Sequence, residues 1–241
     1  MTLPDGPIEA ITFDFWNTLI AEDGTSQDHR SEHWVEALVG HGHDIDEAGM
    51  SAGMDELWRW YNVEWQAKRV VTAEVAVTKL VEALGVEPTP PLVATMLEVL
   101  HAGRDPEHMT VAPGIGDALE AIRTGGVRVG IICDVGFTPA PTLRRYLAHY
   151  GLLGYFDAWS FSDEVGTYKP DPKIYTHARS SLGVTGAMAH IGDLRRTDIA
   201  GAHDVGWLAL RYTGLNDDSS ELPDGDVVIG HHREIAAALG L

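Results

Sequence analysis

Apolar and polar positions follow two different rhythms along this chain. The stretch from Ile8 to Phe13 is mostly apolar and ends in Asp14, a pattern typical of a buried strand in a parallel sheet. In residues 20–105 the apolar positions recur at helical spacing, which predicts a small bundle without strands. The predicted helices of this block cover residues 28–41, 46–68, 73–84 and 91–103.

From residue 106 onward, predicted strands and helices alternate. The strands cover residues 127–133, 158–161, 187–191, 207–212 and 227–229, and the helices cover 115–124, 141–150, 171–182, 197–205 and 233–239. Such alternation predicts a doubly wound parallel sheet of Rossmann-like type. The sequence therefore predicts an α/β protein whose core, residues 1–19 and 106–241, is interrupted by a helical domain, residues 20–105.

The second predicted helix is unusually rich in aromatic residues. Four of them fall within nine positions: Trp58, Trp60, Tyr61 and Trp65. One interpretation is packing between helices, since aromatic side chains bury large areas. The other is that one or two of these rings line a substrate pocket.

Composition narrows the class of protein. The net charge of -19 argues against nucleic-acid binding, which needs basic patches. No run approaches the roughly 20 apolar residues of a membrane span. The single cysteine, Cys133, fits a reducing cytoplasm, and Met1–Gly6 has none of the features of a signal peptide. We expect a cytoplasmic monomer or homodimer that acts on a small molecule, without a nucleic-acid or membrane partner.

Charged side chains follow several of the predicted strands. Asp14 ends the first strand, Asp134 follows the second, Lys169 lies in the loop after the third, and Asp193 and Asp198 follow the fourth. Parallel strands bring such residues to one edge of the sheet. Several carboxylates repel one another unless a cation lies among them, and oxygen ligands suit Mg²⁺. The lysine would balance charge and bind a substrate anion.

The order and spacing of these motifs resemble those of the haloacid dehalogenase-like (HAD) hydrolase superfamily over nearly the whole chain. Asp14–Thr18 matches the first motif, Lys169–Pro170 the third, and Gly192–Asp193 with Asp198 the fourth. The helical block lies where type 1 caps of that family are inserted. The resemblance therefore implies a HAD core with a helical cap domain.

The resemblance also implies a role for each matched residue. Asp14 would be the nucleophile that forms an aspartyl ester, and Lys169 would stabilise the charge. Mg²⁺ would be held by the side chains of Asp14 and Asp193 and by the backbone carbonyl of Trp16. Asp198 would hold a metal-bound water or orient Lys169. The cap would exclude water and set specificity.

Two positions depart from the family pattern. Trp16 stands where the family's phosphatases carry a second Asp that protonates the leaving group, and Cys133 stands where a hydroxyl grips phosphate. The residues expected to contact substrate are Thr18, Cys133, Asp134 and Lys169. Asp134 either replaces the missing acid/base or caps the turn before Gly136.

The leading prediction is a Mg²⁺-dependent phosphatase that acts on a small phosphorylated metabolite through an aspartyl-phosphate. Trp16 leaves two alternatives open. One is hydrolysis of a carbon–halogen bond, as in the family's 2-haloacid dehalogenases, which also lack the second Asp and need no magnesium. The other is an atypical member with a biosynthetic or ligand-binding role.

Overall fold

The computed structural model describes residues 6–22 and 29–241 of the chain. The expectation about a signal peptide rests on residues that lie mostly outside these ranges. Residue 28, at which the first predicted helix begins, also lies outside these ranges. None of the helices in the described ranges has the length and apolar character needed to cross a membrane.

A six-stranded parallel sheet forms the centre of the molecule. Its strands are β1 (Ile8–Phe13), β4 (Arg128–Cys133), β5 (Ala158–Phe161), β6 (Ala187–Gly192), β7 (Leu208–Tyr212) and β8 (Val227–Ile229), in the order β5-β4-β1-β6-β7-β8. In the register of β1, Phe13 pairs with Ile131 on one side and Ile191 on the other. The carboxyl ends of the three central strands are therefore level, and the residues that follow them meet at one edge.

Helices cover both faces of the sheet, so the predicted doubly wound α/β core is confirmed. These helices are α5 (Ile115–Thr124), α6 (Ala140–His149), α7 (Ser162–Val165), α8 (Pro172–Leu182), α9 (Ala200–Asp204) and α10 (Ile235–Leu239). Apolar residues of α5, α6 and α10 pack with one set of strand side chains, and those of α8 and α9 pack with the other. Burial of these two layers supplies the main driving force for folding the core.

Four helices between residues 29 and 102 form a separate helical unit. They are α1 (His29–Gly40), α2 (Glu47–Gln66), α3 (Ala73–Ala83) and α4 (Pro90–Ala102). Their inward faces share one apolar cluster that includes Trp34, Leu57 and Leu80. Two residues of the sheet's loops, Phe137 and Tyr168, are buried in the same cluster. The helical unit is thus packed against the edge of the sheet where the candidate residues meet.

The expectation that residues 20–105 are entirely helical is wrong at its start. β2 (Ile20–Glu22) pairs antiparallel with β3 (Met109–Val111) and forms a two-stranded ribbon. Three residues are too few to show the two-residue period of a strand, and the partner lies far along the chain.

The structure differs from the predicted helix over residues 197–205 in the first half of that segment. Arg195–Ile199 form a π-helical turn, and only Ala200–Asp204 are α-helical. Turns of this kind are frequent at functional sites.

Candidate active site

Asp14 lies at the end of β1, on the floor of a cavity between the sheet and the helical unit. Its backbone N–H donates to the carbonyl of Ile191, 2.8 Å away, which fixes it to the neighbouring strand. Directly after it the chain turns sharply, with Asn17 in the left-handed region (φ 55°). Burial raises the pKa of the Asp14 carboxyl well above its usual value, with Asp198 and Asp193 adding to the rise against the opposing charge of Lys169. A carboxyl group buried in this way stays ionised near neutral pH only if a positive charge lies beside it.

Lys169 supplies the positive charge. Its Nζ donates to Oδ1 of Asp14 and to Oδ1 of Asp198, each at 2.6 Å, and the residue is only 2% exposed. Burial disfavours the charged amine, but the carboxylates of Asp14 and Asp198 outweigh it and hold the pKa of Lys169 well above its usual value. The lysine is therefore a fixed cation beside Asp14.

Asp198 is fully buried, and both of its carboxylate oxygens are engaged. Oδ1 contacts Lys169 Nζ and lies 3.1 Å from His190 Nε2, and Oδ2 accepts from the backbone N–H of Leu194 at 3.0 Å. Burial favours the neutral acid, yet Lys169 and His190 together lower the pKa of Asp198. Of the two roles that the resemblance implies for Asp198, this arrangement favours orientation of Lys169.

Asp193 follows β6 and completes an acidic triad. Carboxylate oxygens of Asp14, Asp193 and Asp198 lie within 4.8 Å of one another, and all three residues are buried. Oδ2 of Asp193 accepts from Nδ2 of Asn216 at 2.6 Å. Burial, reinforced by Asp198, raises the pKa of Asp193 to about 7.

The donor set of this triad fits a hard divalent cation. Lys169 pairs with two of the three buried carboxylates, Asp14 and Asp198, so the cluster carries excess negative charge when all three are ionised. Asp193 has a neutral amide as its partner, whereas Asp198 is already paired. Oxygen ligands of this type suit Mg²⁺, which would be held by Asp14 and Asp193. The backbone carbonyl of Trp16 as a further ligand stays a prediction.

Trp16 forms part of the wall of the same cavity as Asp14. Its half-buried indole packs edge-on against Phe15, with 5.0 Å between ring centroids. An indole has an N–H donor and no group that titrates near neutral pH. The position where phosphatases of the resembled family place an acid/base residue is therefore an apolar wall.

The four residues expected to contact substrate divide into two pairs. Lys169 and Asp134 line the cavity. Cys133 is fully buried in the apolar cluster beneath the sheet edge, where burial raises the pKa of its thiol well above the usual value. Thr18 is also fully buried, and its backbone carbonyl accepts from His232 Nε2 at 2.7 Å. Neither Cys133 nor Thr18 belongs to the cavity wall, because both side chains are packed behind it.

Asp134 connects the helical unit to the loop that carries Lys169. Its Oδ1 accepts from the backbone N–H of Lys169 at 2.9 Å, and its Oδ2 accepts from the indole N–H of Trp65 at 2.7 Å. Burial raises the pKa of this carboxyl, although Lys169 and Trp65 oppose the rise. Both oxygens bind distant groups, so the alternative that Asp134 caps the following turn does not describe its contacts.

The cavity itself has a volume of about 370 Å³. The sheet edge contributes Asp14, Lys169 and Asp193, and α2 contributes the opposite wall. Each of the two interpretations of the aromatic helix, packing between helices and lining of a pocket, applies to some of its rings. Trp58, Tyr61 and Trp65 line the cavity, whereas Trp60 does not line it and packs, partly buried, against the apolar cluster of the helical unit.

Asn216 is a site residue that the sequence did not reveal. It lies in the acidic loop after β7, which shows no recognisable motif. Two arginines hold this loop. Arg211 pairs with Asp217 and Asp224, each at 2.5 Å, and Arg195 pairs with Asp224 at 3.0 Å. These ion pairs place the Asn216 amide against Asp193, an arrangement that depends on contacts far apart in sequence.

Proteins that are similar to this chain include a nucleotidase, a phosphatase and a dehalogenase. Pyrimidine 5′-nucleotidase YjjG of Escherichia coli is 36% identical over 121 residues, which is 49% of this chain and about half (51%) of that protein. Glyceraldehyde 3-phosphate phosphatase of Methanopyrus kandleri is 25% identical over 225 residues, 91% of each chain. (S)-2-haloacid dehalogenase 1 of a Pseudomonas species is 24% identical and spans 87% of this chain and 86% of its own.

The fold is likewise similar to a solved structure. The crystal structure of a HAD phosphatase from Thermococcus onnurineus superimposes with a TM-score of 0.68 at 24% identity, over 97% of this chain and 98% of that one. The family model for haloacid dehalogenase-like hydrolases matches residues 8–206, which include Asp14, Lys169, Asp193 and Asp198. The chain therefore belongs to the haloacid dehalogenase-like hydrolase family.

Proposed function

We propose that this hydrolase is a Mg²⁺-dependent phosphatase that cleaves a small phosphorylated metabolite through an aspartyl-phosphate on Asp14. The observation that carries the proposal is the buried acidic triad with a single lysine. An anionic substrate would be repelled by this cluster unless a further cation were bound there. The phosphatase and the nucleotidase among the similar proteins support the same reaction class.

In the proposed reaction the two oxygens of Asp14 have different roles. Lys169 donates to Oδ1, which leaves Oδ2 to attack the substrate phosphorus. The new bond forms between Oδ2 and phosphorus as the ester P–O bond breaks, and the alcohol leaves with a proton from the Asp134 carboxyl. Water then gives a proton to the Asp134 carboxylate and hydrolyses the aspartyl-phosphate, which releases inorganic phosphate and restores both carboxyl groups. A divalent cation held by Asp14 and Asp193 would neutralise charge on the phosphoryl group.

The proposal assigns proton transfer to Asp134. Trp16 cannot exchange a proton with the leaving alcohol, whereas Asp134 lines the same cavity and is a carboxyl with a raised pKa. Thr18 and Cys133 would act from behind the cavity wall, by supporting the floor on which phosphate binds.

The helical unit is proposed to be a type 1 cap, within the boundaries 20–105, on a core of residues 1–19 and 106–241. Support comes from its contacts with the sheet edge. The hydroxyl of Tyr168 accepts from the backbone N–H of Val71 at 3.1 Å, and Trp65 donates to Asp134. These contacts hold the unit over the cavity, where it would exclude water and select substrates.

A panel of phosphate esters incubated with Mg²⁺ tests the proposal. The wild-type protein should release phosphate from at least one ester, and Asp14→Asn should abolish release while Asp55→Asn, an exposed substitution on α2, should not. The absence of release from every ester, with folded protein and Mg²⁺ present, would reject the phosphatase function.

Carbon–halogen hydrolysis is the second candidate, and Trp16 is the observation that favours it. A halide leaves without protonation, so that reaction does not need an acid at position 16. It predicts halide release from 2-haloacids that persists in the presence of EDTA. If no halide is released under those conditions, this candidate is eliminated.

A further inference from the structure

One face of α2 lies opposite Asp14 across the cavity. Trp58, Asn62 and Trp65 are spaced four and three residues apart, so they lie on the same side of the helix, and all three line the cavity. We call this set the α2 stripe. It presents an indole, an amide and a second indole to whatever is bound at the sheet edge.

Trp58 is a large aromatic residue that stays substantially exposed, at 41%. Its position is nevertheless fixed, since its ring packs against Phe137 of the core at a centroid distance of 4.4 Å and edge-on against Tyr61 at 5.6 Å. An ordered, partly open aromatic ring in a cavity wall is a surface on which a flat group can pack.

Trp65 is held from the core side at two points. Its N–H donates to Asp134, and the guanidinium of Arg196 lies 3.8 Å from the centre of its ring. A cation at this distance from an indole is a stabilising contact. Phe137 near one end of the stripe and Asp134 with Arg196 near the other therefore keep α2 at a fixed distance from the nucleophile.

Asn62 lies between these two anchored rings and is exposed. Its amide offers both a donor and an acceptor. A planar ring with hydrogen-bonding groups on its edge would use an aromatic surface and such an amide together, as nucleobases do. A simple sugar alcohol has no flat face to place against Trp58.

On the basis of the phosphatase function proposed above, we propose that the α2 stripe selects phosphomonoesters whose alcohol part carries a planar, hydrogen-bonding ring, the class that includes nucleoside 5′-monophosphates. The phosphate would lie at Asp14, the ring would pack against Trp58, and Asn62 would bind the edge of the ring. The cavity volume of about 370 Å³ falls within the range of small-molecule sites, roughly 300–1,000 Å³.

Matched substrates test this assignment. Uridine and adenosine 5′-monophosphates differ from ribose 5-phosphate by the base, so the ratio of their kcat/KM values isolates the contribution of the ring. Base–aromatic stacking predicts that at least one nucleotide is favoured by about 5- to 150-fold. Trp58→Ala should remove most of this preference, and Asn62→Ala part of it, because each substitution should lower kcat/KM for the nucleotide more than kcat/KM for ribose 5-phosphate.

Two further variants separate recognition from folding. Trp58→Phe keeps an aromatic ring and should retain part of the preference, and Trp60→Phe, on the same helix but outside the cavity, should retain all of it. A far-ultraviolet circular dichroism spectrum of Trp58→Ala that matches the wild type would show that the variant is folded.

Binding to Asp14→Asn, measured by titration calorimetry with Mg²⁺ present, gives a readout that does not need turnover. Tighter binding of a nucleotide than of ribose 5-phosphate, dependent on Trp58, would support the inference even if no ester were hydrolysed, in which case only the phosphatase function would fail. Equal binding and equal turnover of nucleotides and ribose 5-phosphate would overturn the inference and leave the phosphatase function intact. Binding of none of the three esters would overturn it as well.

Discussion

The ionisation of Asp193 is predicted to make the metal-free protein less stable as the pH rises. Burial and the neighbouring Asp198 raise the pKa of Asp193 from 3.8 to about 7 in the folded chain. Between these two values the folded state holds a proton that the unfolded state has released, so the free energy of unfolding falls with increasing pH. The contribution of Asp193 to the free energy of unfolding is fully present below about pH 4 and is lost as the pH rises to about 7.

The size of the effect follows from the same two pKa values. At about 1.4 kcal/mol per pKa unit, ionising Asp193 without a cation costs the folded state up to about 4 kcal/mol. Asp193→Asn removes the charge and keeps an oxygen that accepts from Asn216. In EDTA at pH 7.5 this variant should be more stable than the wild type by up to about 4 kcal/mol, or about 8–16 °C in Tm for a chain of this size.

Urea denaturation followed by tryptophan fluorescence from pH 4 to 8, in EDTA, measures this difference. The curves for wild type and Asp193→Asn should meet near pH 4 and separate as the pH rises, whereas the exposed Asp55→Asn should track the wild type throughout. Added Mg²⁺ should stabilise only the wild type at neutral pH, by about 2.7 kcal/mol at a concentration 100-fold above Kd. Parallel curves for wild type and Asp193→Asn in EDTA would show that the electrostatic reasoning is mistaken.

Three further predictions concern individual contacts of the site. Lys169→Met should lower kcat by about 10²–10³-fold in kinetic assays, and it should destabilise the fold by about 3–5 kcal/mol in denaturation assays because it leaves buried carboxylates unpaired. The exposed Lys173→Met, as a control, should change neither kcat nor stability. Asp134→Asn should lower kcat by about 10²–10⁴-fold and remove a limb of its pH profile if that residue transfers the proton, and unchanged turnover would exclude it from that role. Asn216→Ala should weaken Mg²⁺ binding by about 10–100-fold in calorimetry because it frees the Asp193 carboxylate to rotate, and an unchanged Kd would contradict that positioning role.

The gathering of charged residues at one edge of the sheet could be predicted from the sequence because it depends on strand order. Asp14, Lys169, Asp193 and Asp198 all follow buried apolar strands, and parallel strands leave little freedom in where their carboxyl ends lie. The level register of the central strands then brings residues far apart in the chain within 4.8 Å.

Other parts of the site depend on contacts that leave no local pattern. Asn216 is placed by ion pairs that Arg195 and Arg211 make with the acidic loop, so its neighbours in sequence give no sign of its role. The bond between Trp65 and Asp134 joins residues 69 positions apart. Spacing along α2 predicts which aromatic residues share a face, but only the packing of the helical unit decides which ring meets the cavity.

The ribbon of β2 and β3 has a consequence for how such proteins diversify. The chain leaves the sheet through Ile20–Glu22 and returns through Met109–Val111, and these segments are hydrogen-bonded neighbours. The entry and exit points of the whole insertion are thus a few ångströms apart, so the insert spans no gap in the sheet. A longer, shorter or entirely different insert could be joined at these two points without moving the strand that ends at Asp14. The insert and the sheet edge can therefore change independently of each other in evolution.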